Sequence, residues 1–137
     1  MKIVLDTNVL LAAFMAHGTC NELLEHCVRQ HEIVLSKAIL DEFRDALAKK
    51  FDFTPTDALK AVSLLMSHVT LVEPMRLPRE VCRDPDDDAV WATALAGGCQ
   101  CLVTGDKDLL ELVHFEDIRI VAPSAFWKFE TEIEPPT

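Results

Sequence analysis

The sequence lacks the features that mark several large classes of protein. None of its 137 residues belongs to an apolar run approaching the roughly 20 residues that a membrane-spanning helix needs. The first apolar residues are followed directly by Asp6, which is not typical of a signal peptide. Repeats, low-complexity tracts and Gly/Ser linkers are absent as well, and only four residues are glycine. We therefore predict a cytoplasmic protein without membrane association, with one domain at 1–129 and a flexible, solvated tail at 130–137.

Cysteine spacings typical of disulfide frameworks or zinc sites are also missing. The chain has five cysteines, an odd number without a Cys-x-x-Cys pair: Cys20, Cys27, Cys82, Cys99 and Cys101. A zinc site at Cys99 and Cys101 would need distant partners, and a Cys-x-Cys pair alone is a weak signal. We predict buried or scattered thiols in a reducing compartment.

Basic residues are scarce relative to acidic ones. The chain has 13 Lys and Arg against 23 Asp and Glu, so its formal net charge is −10. Proteins that coat nucleic acid gain affinity from clustered Lys and Arg, and the charge balance disfavours that class. Half of the residues are hydrophobic, which disfavours a disordered chain. The excess acids either lie dispersed on the surface or gather at a metal site, and their positions decide between the two.

Short apolar segments alternate with helical patterns along the chain. The pattern predicts extended segments at 2–5, 33–35, 69–72, 101–103 and 118–121. It predicts helices at 9–15, 19–29, 37–50, 55–67, 89–96 and 123–129, and a short helical turn through 110. Because the strands are apolar along their whole length, we expect a parallel sheet that is covered on both faces. The predicted fold class is α/β, with three layers and a central parallel β-sheet flanked by helices.

Three of the predicted helices begin at residues that can cap them. Thr19 and Glu22 fit a capping box, and Ser36 precedes the helix at 37–50. Thr54 precedes a first-turn proline and has an acid three residues later, at Asp57. These features predict hydrogen bonds between the capping side chains and the first backbone N–H groups of each helix.

Two aspartates come directly after predicted buried strands. Asp6 follows the strand at 2–5, and Asp106 follows the strand at 101–103 after Thr104 and a glycine. Ligands of open α/β sheets collect at the carboxyl ends of strands, so both aspartates are candidates for a binding site. Taken alone, each is better explained as a turn residue or a helix cap.

Glu42 is out of place in the pattern of its helix. The apolar face of this helix consists of Ile39, Phe43, Ala46 and Leu47. Glu42 falls within that face at helical spacing, whereas Asp41 and Asp45 are expected to be ordinary solvated charges. A carboxylate on a buried face is costly unless another group pairs with it. The alternative is a side chain at the edge of the face that bends out into water.

Four aspartates crowd the start of the helix at 89–96: Asp84, Asp86, Asp87 and Asp88. Acids favour helix amino termini through capping and the helix macrodipole, which explains one or two of them. Asp87 precedes the inward-facing Val90 and Trp91 by three and four residues, and we therefore predict that it points inward. Asp88 is expected to point inward less, and the other two are expected to cap the helix or to support the site.

These four places are predicted to meet at one edge of the sheet, where the carboxylates would lie a few ångströms apart. Several carboxylates in a dry cleft cannot all ionise unless cations neutralise them. Oxygen ligands select hard ions, so we expect one or two Mg²⁺ or Mn²⁺ ions at this edge.

Four segments together resemble the motifs of PIN domains, in an order and spacing similar to those of toxin components of toxin–antitoxin systems. The segments are LDTN at 5–8, LDEF at 40–43, RDPDDDAVWATAL at 83–95 and LVTGDKDLL at 102–110. The resemblance covers residues 2–127. It implies a Rossmann-like sheet and a metal-dependent nuclease that usually cleaves single-stranded RNA. It also implies a cognate antitoxin that occupies the cleft, and a homodimer.

The resemblance further implies roles for particular residues. The acid quartet that binds metal and carries catalysis falls on Asp6, Glu42, Asp87 and Asp106. Supporting polar positions and accessory acids fall on Asn8, Ser36, Thr104, Asp84 and Asp108. Either Asp87 or Asp88 can be the metal ligand, because three aspartates follow one another at this place.

Basic residues near these motifs are candidates for contacts with the substrate backbone, although each also fits an ordinary solvated helix face. They are Lys37, Arg44, Lys49, Lys50 and Lys107. A haloacid-dehalogenase-like phosphatase fits less well, because it would need a second aspartate where Asn8 stands. The alternative that stays open is a non-catalytic PIN-fold module that binds RNA or a protein.

Overall fold

A six-stranded sheet forms the centre of the computed structural model, which describes residues 1–15, 18–73, 85–112, 114–115 and 117–133, without the side chains of 85–88 and 114–115. The strands are β1 (Lys2–Leu5), β2 (Glu32–Leu35), β3 (Thr70–Leu71), β4 (Cys101–Val103), β5 (His114–Phe115) and β6 (Ile118–Val121). Their order in the sheet is β3-β2-β1-β4-β6-β5. All neighbours pair in parallel except β5, which is antiparallel to β6. The predicted parallel sheet is confirmed, and the edge strand β5 has no counterpart among the predicted strands.

Helices flank the sheet, as predicted for the α/β class. They are α1 (Thr7–Met15), α2 (Thr19–Gln30), α3 (Lys37–Lys50), α4 (Pro55–Met66), α5 (Pro85–Ala96), α6 (Lys107–Leu110) and α7 (Phe126–Ile133), the last preceded by a 3-10 turn at Pro123–Ala125. Within the described ranges, every helix is too short or too polar to cross a bilayer.

The central strands are buried along most of their length, in agreement with their apolar composition. The last three residues of β1 and all three residues of β4 are fully buried. Helices contribute the largest buried side chains, Trp91 from α5, Phe43 from α3 and Phe126 from α7. Burying a side chain such as Phe43 stabilises the fold by roughly 1.5–3 kcal/mol. The core therefore holds the strand ends, and the residues that follow them, in fixed positions.

The three predicted helix caps have different outcomes. Thr54 Oγ1 accepts a hydrogen bond from the backbone N–H of Asp57 at 3.1 Å, which confirms that cap. The capping box at Thr19 is wrong, because α2 already includes Thr19 and its N-cap is Gly18. Ser36 occupies the N-cap position of α3 but makes no capping bond. Its Oγ is instead hydrogen-bonded to Thr93 Oγ1 of α5 at 2.8 Å, which ties two helices together in the core.

Two glycines close α5 and allow it to turn toward β4. A Cβ atom on Gly97 would lie 2.6 Å from Val34 Cγ1, so only glycine fits this close approach to β2. Gly98 has a φ of 62°, in the left-handed region that ends many helices. The predicted end of this helix at the glycine pair is confirmed.

The first residues of the predicted carboxyl-terminal tail lie in a helix. Residues 130–133 continue α7, and Glu130 is half-buried in contact with His26 and His31. Residues 131–133 are exposed, so the difference from a solvated segment is confined to Glu130, which Phe126 and Phe129 of α7 hold close to the core. The domain boundary at 129/130 stays a prediction. Residues 134–137 lie outside the described residues.

The described cysteines are buried or half-buried free thiols, as predicted, and Cys82 lies outside the described residues. Cys27, Cys99 and Cys101 are buried, and Cys20 is half-buried. Burial raises the pKa of Cys27 and of Cys99 to about 12. These thiols therefore remain protonated at neutral pH and are part of the packing.

Candidate active site

A cleft of about 570 Å³ opens at the carboxyl ends of β1 and β4, along one face of α3. Its lining consists of Asp6, Thr7, Asn8, Leu11, Ala38, Glu42, Asp45, Ala46, Lys49, Lys50, Ala89 and Asp106. Three carboxylates of the predicted quartet, from Asp6, Glu42 and Asp106, thus lie around one cavity. The parallel pairing of β1 with β4 brings the two strand ends together, since Leu5 is in register with Val103.

Asp6 is the most buried of these carboxylates, with only 6% of the residue exposed. Its Oδ1 accepts a hydrogen bond from the backbone N–H of Thr7, and its Oδ2 accepts one from Thr104 Oγ1, both at 2.7 Å. Burial raises the pKa of Asp6; the hydrogen bonds from Thr104 and Thr7 oppose the rise, and the charge of Asp106 adds to it. A cation bound beside Asp6 would therefore favour its ionised form.

Thr104 connects the two strand-end aspartates. Its hydroxyl donates to Asp6 and accepts a hydrogen bond from the backbone N–H of Asp106 at 3.0 Å. Asp106 in turn caps α6, because its Oδ1 accepts from the backbone N–H groups of Asp108 at 2.8 Å and Leu109 at 3.4 Å. Asp106 can thus cap α6 and also contribute to the cleft, since capping uses only one of its two carboxylate oxygens.

Asn8 and Thr7 add neutral oxygen atoms to the cleft. Asn8 Oδ1 accepts a long hydrogen bond of 3.5 Å from the backbone N–H of Gly105, which links the loop after β1 to the loop after β4. Among the described residues, the buried Thr7 Oγ1 is a polar side-chain atom without a hydrogen-bond partner. A buried hydroxyl in this state is a position that a bound ligand or a water molecule can satisfy.

Glu42 reaches the cleft from an exposed position. The prediction that it lies inside the apolar face of α3 is wrong, because Glu42 is exposed while Ile39, Phe43 and Leu47 are buried. The structure agrees with the alternative, in which Glu42 lies at the edge of that face and extends into solvent. Glu42 therefore carries a smaller desolvation cost than Asp6.

One face of α3 forms a side of the cleft, and part of it is not among the predicted site residues. Ala38, Glu42, Asp45, Ala46 and the Lys49–Lys50 pair recur at intervals of three and four residues along this face. Asp45 is exposed, as expected for a solvated charge, and it also lines the cleft, which was not predicted. Helical spacing counted from Glu42 would have indicated it, since residues three and seven positions later share its face.

Several predicted substrate and support residues lie elsewhere. Lys37 pairs with Asp41 at 3.1 Å, on a surface of α3 away from the cleft. Arg44 lies 3.6 Å from Asp41 and 3.4 Å from Asp45, so it contacts a lining residue without lining the cleft itself. Among the described residues, neither Lys37 nor Lys107 lines the cavity. Ser36 is buried beside it, and Asp108 is exposed in the first turn of α6.

The aspartate cluster before α5 falls largely outside the described part of the chain. Asp84 lies outside the described residues, and the side chains of Asp87 and Asp88 are not described. The backbone places both in the first turn of α5, which begins at Pro85, earlier than predicted. The next residue, Ala89, lines the cleft. The choice between Asp87 and Asp88 stays a prediction.

The donor atoms of the cleft are suited to a hard divalent cation. Carboxylate, amide and hydroxyl oxygens surround the cavity, and no described residue of its lining offers a sulfur or imidazole ligand. Such oxygen sets favour Mg²⁺ or Mn²⁺ over zinc or copper. The residues present therefore fit a divalent ion, and the buried Asp6 and the unsatisfied Thr7 hydroxyl lie where it would act.

Comparison with known proteins places the chain among a group of similar folds. Residues 2–108 match the model of the PIN domain. The chain is similar to the structure of VapBC2 from Rickettsia felis bound to a promoter DNA fragment, with a TM-score of 0.66, 14% identity, and coverage of 89% of this chain and 98% of that chain. No curated protein matches the sequence.

Two further solved structures show the same likeness. VapBC-1 from nontypeable Haemophilus influenzae gives a TM-score of 0.64 at 16% identity, covering 90% of this chain and 99% of that chain. VapC20 from Mycobacterium tuberculosis, described as a toxin that cleaves the sarcin–ricin loop, gives 0.56 at 18% identity, covering 85% and 98%. At these identities the likeness shows a shared fold.

Proposed function

The chain belongs to the PIN-domain family, and from that premise we propose that it is a Mg²⁺- or Mn²⁺-dependent endoribonuclease of single-stranded RNA, acting in the cytoplasm as the toxin of a toxin–antitoxin pair. The observation that carries the proposal is the cleft that Asp6, Glu42 and Asp106 line together at the carboxyl end of the sheet. Asp87 is proposed as the fourth carboxylate, with Asp88 as the alternative.

Each residue of the cleft has a proposed part in the reaction. Asp6, Glu42 and Asp106 hold the ion, while Thr104 and Asn8 fix the loops that carry the aspartates. When bound, a divalent ion supplies Lewis-acid activation of water and neutralises charge on the phosphodiester. The carboxylates also repel the substrate phosphate unless they are neutralised, so the acidic cleft discriminates against RNA binding without the ion.

The lysines at the far end of the α3 face are proposed to contact the RNA backbone. Lys49 and Lys50 line the same cleft as the three carboxylates and are exposed. Because the chain carries a net charge of −10, general attraction of nucleic acid is weak, and local lysines matter more. The RNA is therefore proposed to bind through the ion and through Lys49 and Lys50, rather than through a broad basic surface.

An antitoxin partner and a homodimer are proposed from the structural likeness and from apolar surface. VapBC2 and VapBC-1 are solved toxin–antitoxin complexes. In this chain, Leu59, Leu64 and Met66 of α4 expose 55%, 57% and 44% of their surface. A largely apolar groove of about 330 Å³ between α2 and α4 is lined by Leu24, Val28 and Leu64 among others. Such surface is typical of protein contacts.

The central experiment is a cleavage assay on single-stranded RNA with purified full-length chain. Mg²⁺ or Mn²⁺ is expected to support cleavage, and EDTA to abolish it. Glu42→Gln and Asp106→Asn are expected to be inactive. Asp41→Asn is the matched control, because Asp41 neighbours Glu42 on α3 but pairs with Lys37 away from the cleft.

The same assay separates the remaining alternatives. Asp87→Asn should remove metal-dependent cleavage and Asp88→Asn should not; the reverse result would make Asp88 the ligand. Parallel reactions on single-stranded DNA test the choice of RNA. If wild type shows the same negligible cleavage as Glu42→Gln but still binds RNA or an antitoxin, the non-catalytic module replaces the nuclease.

A further inference from the structure

A second cluster of metal-ligating side chains lies outside the cleft. His26 Nε2 of α2 and His31 Nε2, just after α2, each lie 2.5 Å from the same oxygen, Oε2 of Glu130 in α7. The three ligand atoms all lie within 4.8 Å of one another. Glu130 is 104 and 99 residues away from the two histidines along the chain, so the cluster joins distant segments.

Aromatic side chains hold this cluster in place. The His26 ring packs edge-on against Trp127 with centroids 4.6 Å apart, and the His31 ring packs against Phe126 at 6.0 Å. The second ring nitrogen of His31, Nδ1, lies 3.3 Å from the amino group of Met1. Both imidazoles therefore have a fixed orientation, which is what a metal ligand needs from its surroundings.

The degree of burial suits an ion that enters from solvent. The His31 side chain is only 2% exposed, whereas those of His26 and Glu130 are 28% and 20% exposed. One side of the cluster is thus enclosed by the core and the other is open.

We propose that His26, His31 and Glu130 form a second metal site, which binds a transition-metal dication of the zinc class and fastens α7 to the rest of the fold. Two imidazoles and one carboxylate are a known ligand set for zinc, with a fourth position left for water. Imidazole nitrogen selects zinc, copper or nickel over Mg²⁺, which prefers oxygen ligands. Zinc is the ion proposed, because its flexible geometry tolerates three protein ligands.

This site is separate from the acidic cleft. His31 directly precedes β2, at the amino end of the parallel strands, whereas Asp6 directly follows β1 at the carboxyl end. A strand of four residues such as β1 spans roughly 13 Å. The zinc ligands therefore take no part in the proposed nuclease reaction, and their role is to stabilise the position of α7.

The test is a titration of metal-free, ¹⁵N-labelled full-length chain with ZnCl₂ at about pH 8. The imidazole nitrogen signals of His26 and His31 are expected to shift together and to saturate at one equivalent. Mg²⁺ should leave them unchanged. His68, an exposed histidine at the end of α4, is the internal control and should not follow the same titration curve.

Thermal unfolding with and without zinc tests the fastening of α7. At a hundredfold excess of zinc over its dissociation constant, Tm should rise by roughly 5–10 °C in wild type. His26→Gln and Glu130→Gln should lose this rise, while His68→Gln keeps it. Each variant is compared with itself in EDTA, so a general loss of stability does not affect the conclusion.

Two results would overturn the proposal. One is an absence of zinc-dependent shifts at His26 and His31, which would leave a hydrogen-bonded cluster only. The other is a zinc-induced rise in Tm that survives in Glu130→Gln. Neither result depends on RNA cleavage, so the zinc site and the nuclease function can fail separately.

Discussion

The two ends of the parallel sheet carry polar sites of opposite character. At the carboxyl end, the carboxylates of Asp6, Asp106 and Glu42 line one cleft, which contains no sulfur or imidazole ligand among the described residues. At the amino end, His26 and His31 meet the carboxylate of Glu130. The first set suits a hard ion that must exchange ligands with a substrate, and the second suits a borderline ion that fastens structure. If both proposals hold, the fold separates reactive from structural chemistry by placing them at different strand ends.

Removing one proposed metal ligand at either end of the sheet should impair a different property, RNA cleavage at the carboxyl end and zinc-dependent stability at the amino end. Glu42→Gln should lower Mn²⁺-dependent RNA cleavage by on the order of 10²–10³, because the ion supplies several kcal/mol of transition-state stabilisation. The zinc-induced rise in Tm should persist in this variant. His26→Gln should show the reverse pair of results, with cleavage within about twofold of wild type.

A cleavage assay and a thermal melt on the same two preparations measure this separation. If each variant lost both responses, the two ends would be energetically coupled, and their treatment as independent sites would be wrong.

The hydroxyl of Thr104 should matter more than a single hydrogen bond suggests. Thr104→Val removes the donor to Asp6 and the acceptor for Asp106, and cleavage or metal affinity should fall by about 10–100-fold. Thr104→Ser should restore most of it, since the hydroxyl is retained. Thr131→Val is the matched control on α7, where the hydroxyl donates to the Trp127 carbonyl. Equal activity of Thr104→Val and wild type would remove Thr104 from the positioning role.

The lysine pair should affect substrate binding and not the chemical step. Replacement of Lys49 and Lys50 by Gln should raise KM for RNA by roughly three- to tenfold and weaken its salt dependence, because phosphate contacts release counterions. The kcat should stay close to wild type. Lys37→Gln, on the same helix but paired with Asp41, should leave KM unchanged. A fall in kcat instead would place the pair closer to the reacting phosphate.

The smallest expected effect is on stability at the acidic end. Burial raises the folded-state pKa of Asp6, so in EDTA the folded chain binds more protons than the unfolded chain. The stability that protonated Asp6 contributes is fully present below the ordinary aspartate pKa of about 4, and it is lost as the pH rises through the pKa of Asp6 in the folded chain. Asp6→Asn should therefore raise Tm by a few degrees at neutral pH in EDTA, although it abolishes cleavage.

Asp45→Asn provides the comparison for this last effect. Asp45 lines the same cleft but is exposed, so its removal should change Tm little. A melt series from about pH 4 to 8 should show the two aspartate variants diverging as pH rises. A lower Tm for Asp6→Asn throughout that range would show that its hydrogen bonds outweigh its desolvation.

Much of the acidic end could be predicted because its signals are local. Asp6 and Asp106 each follow an apolar strand, and parallel strands bring their carboxyl ends to one edge. Glu42 was predicted to lie on the buried face of α3, whereas in the structure it lines the cleft with an exposed side chain. The prediction used only the spacing of apolar residues along α3, and that spacing does not reveal a polar face that borders a cavity. For the same reason Asp45 was not predicted to line the cleft.

The amino end could not be predicted because its signals are not local. His26 and His31 are five residues apart, a spacing without a shared helical face, and Glu130 was expected in a solvated tail. The buried Phe126 and Phe129 hold α7 on the core, where Phe126 packs against the rings of His26 and His31. That packing depends on contacts between residues about a hundred positions apart.

By itself, the sequence determined the α/β alternation, the parallel sheet and the strand-end aspartates, since apolar periodicity and turn chemistry act over a few neighbouring residues. The tertiary structure alone decided which helix face borders the cleft, where Lys37 and Arg44 point, and that two histidines meet Glu130. These arrangements follow from strand order and helix packing, which depend on the whole chain and cannot be predicted from any short segment.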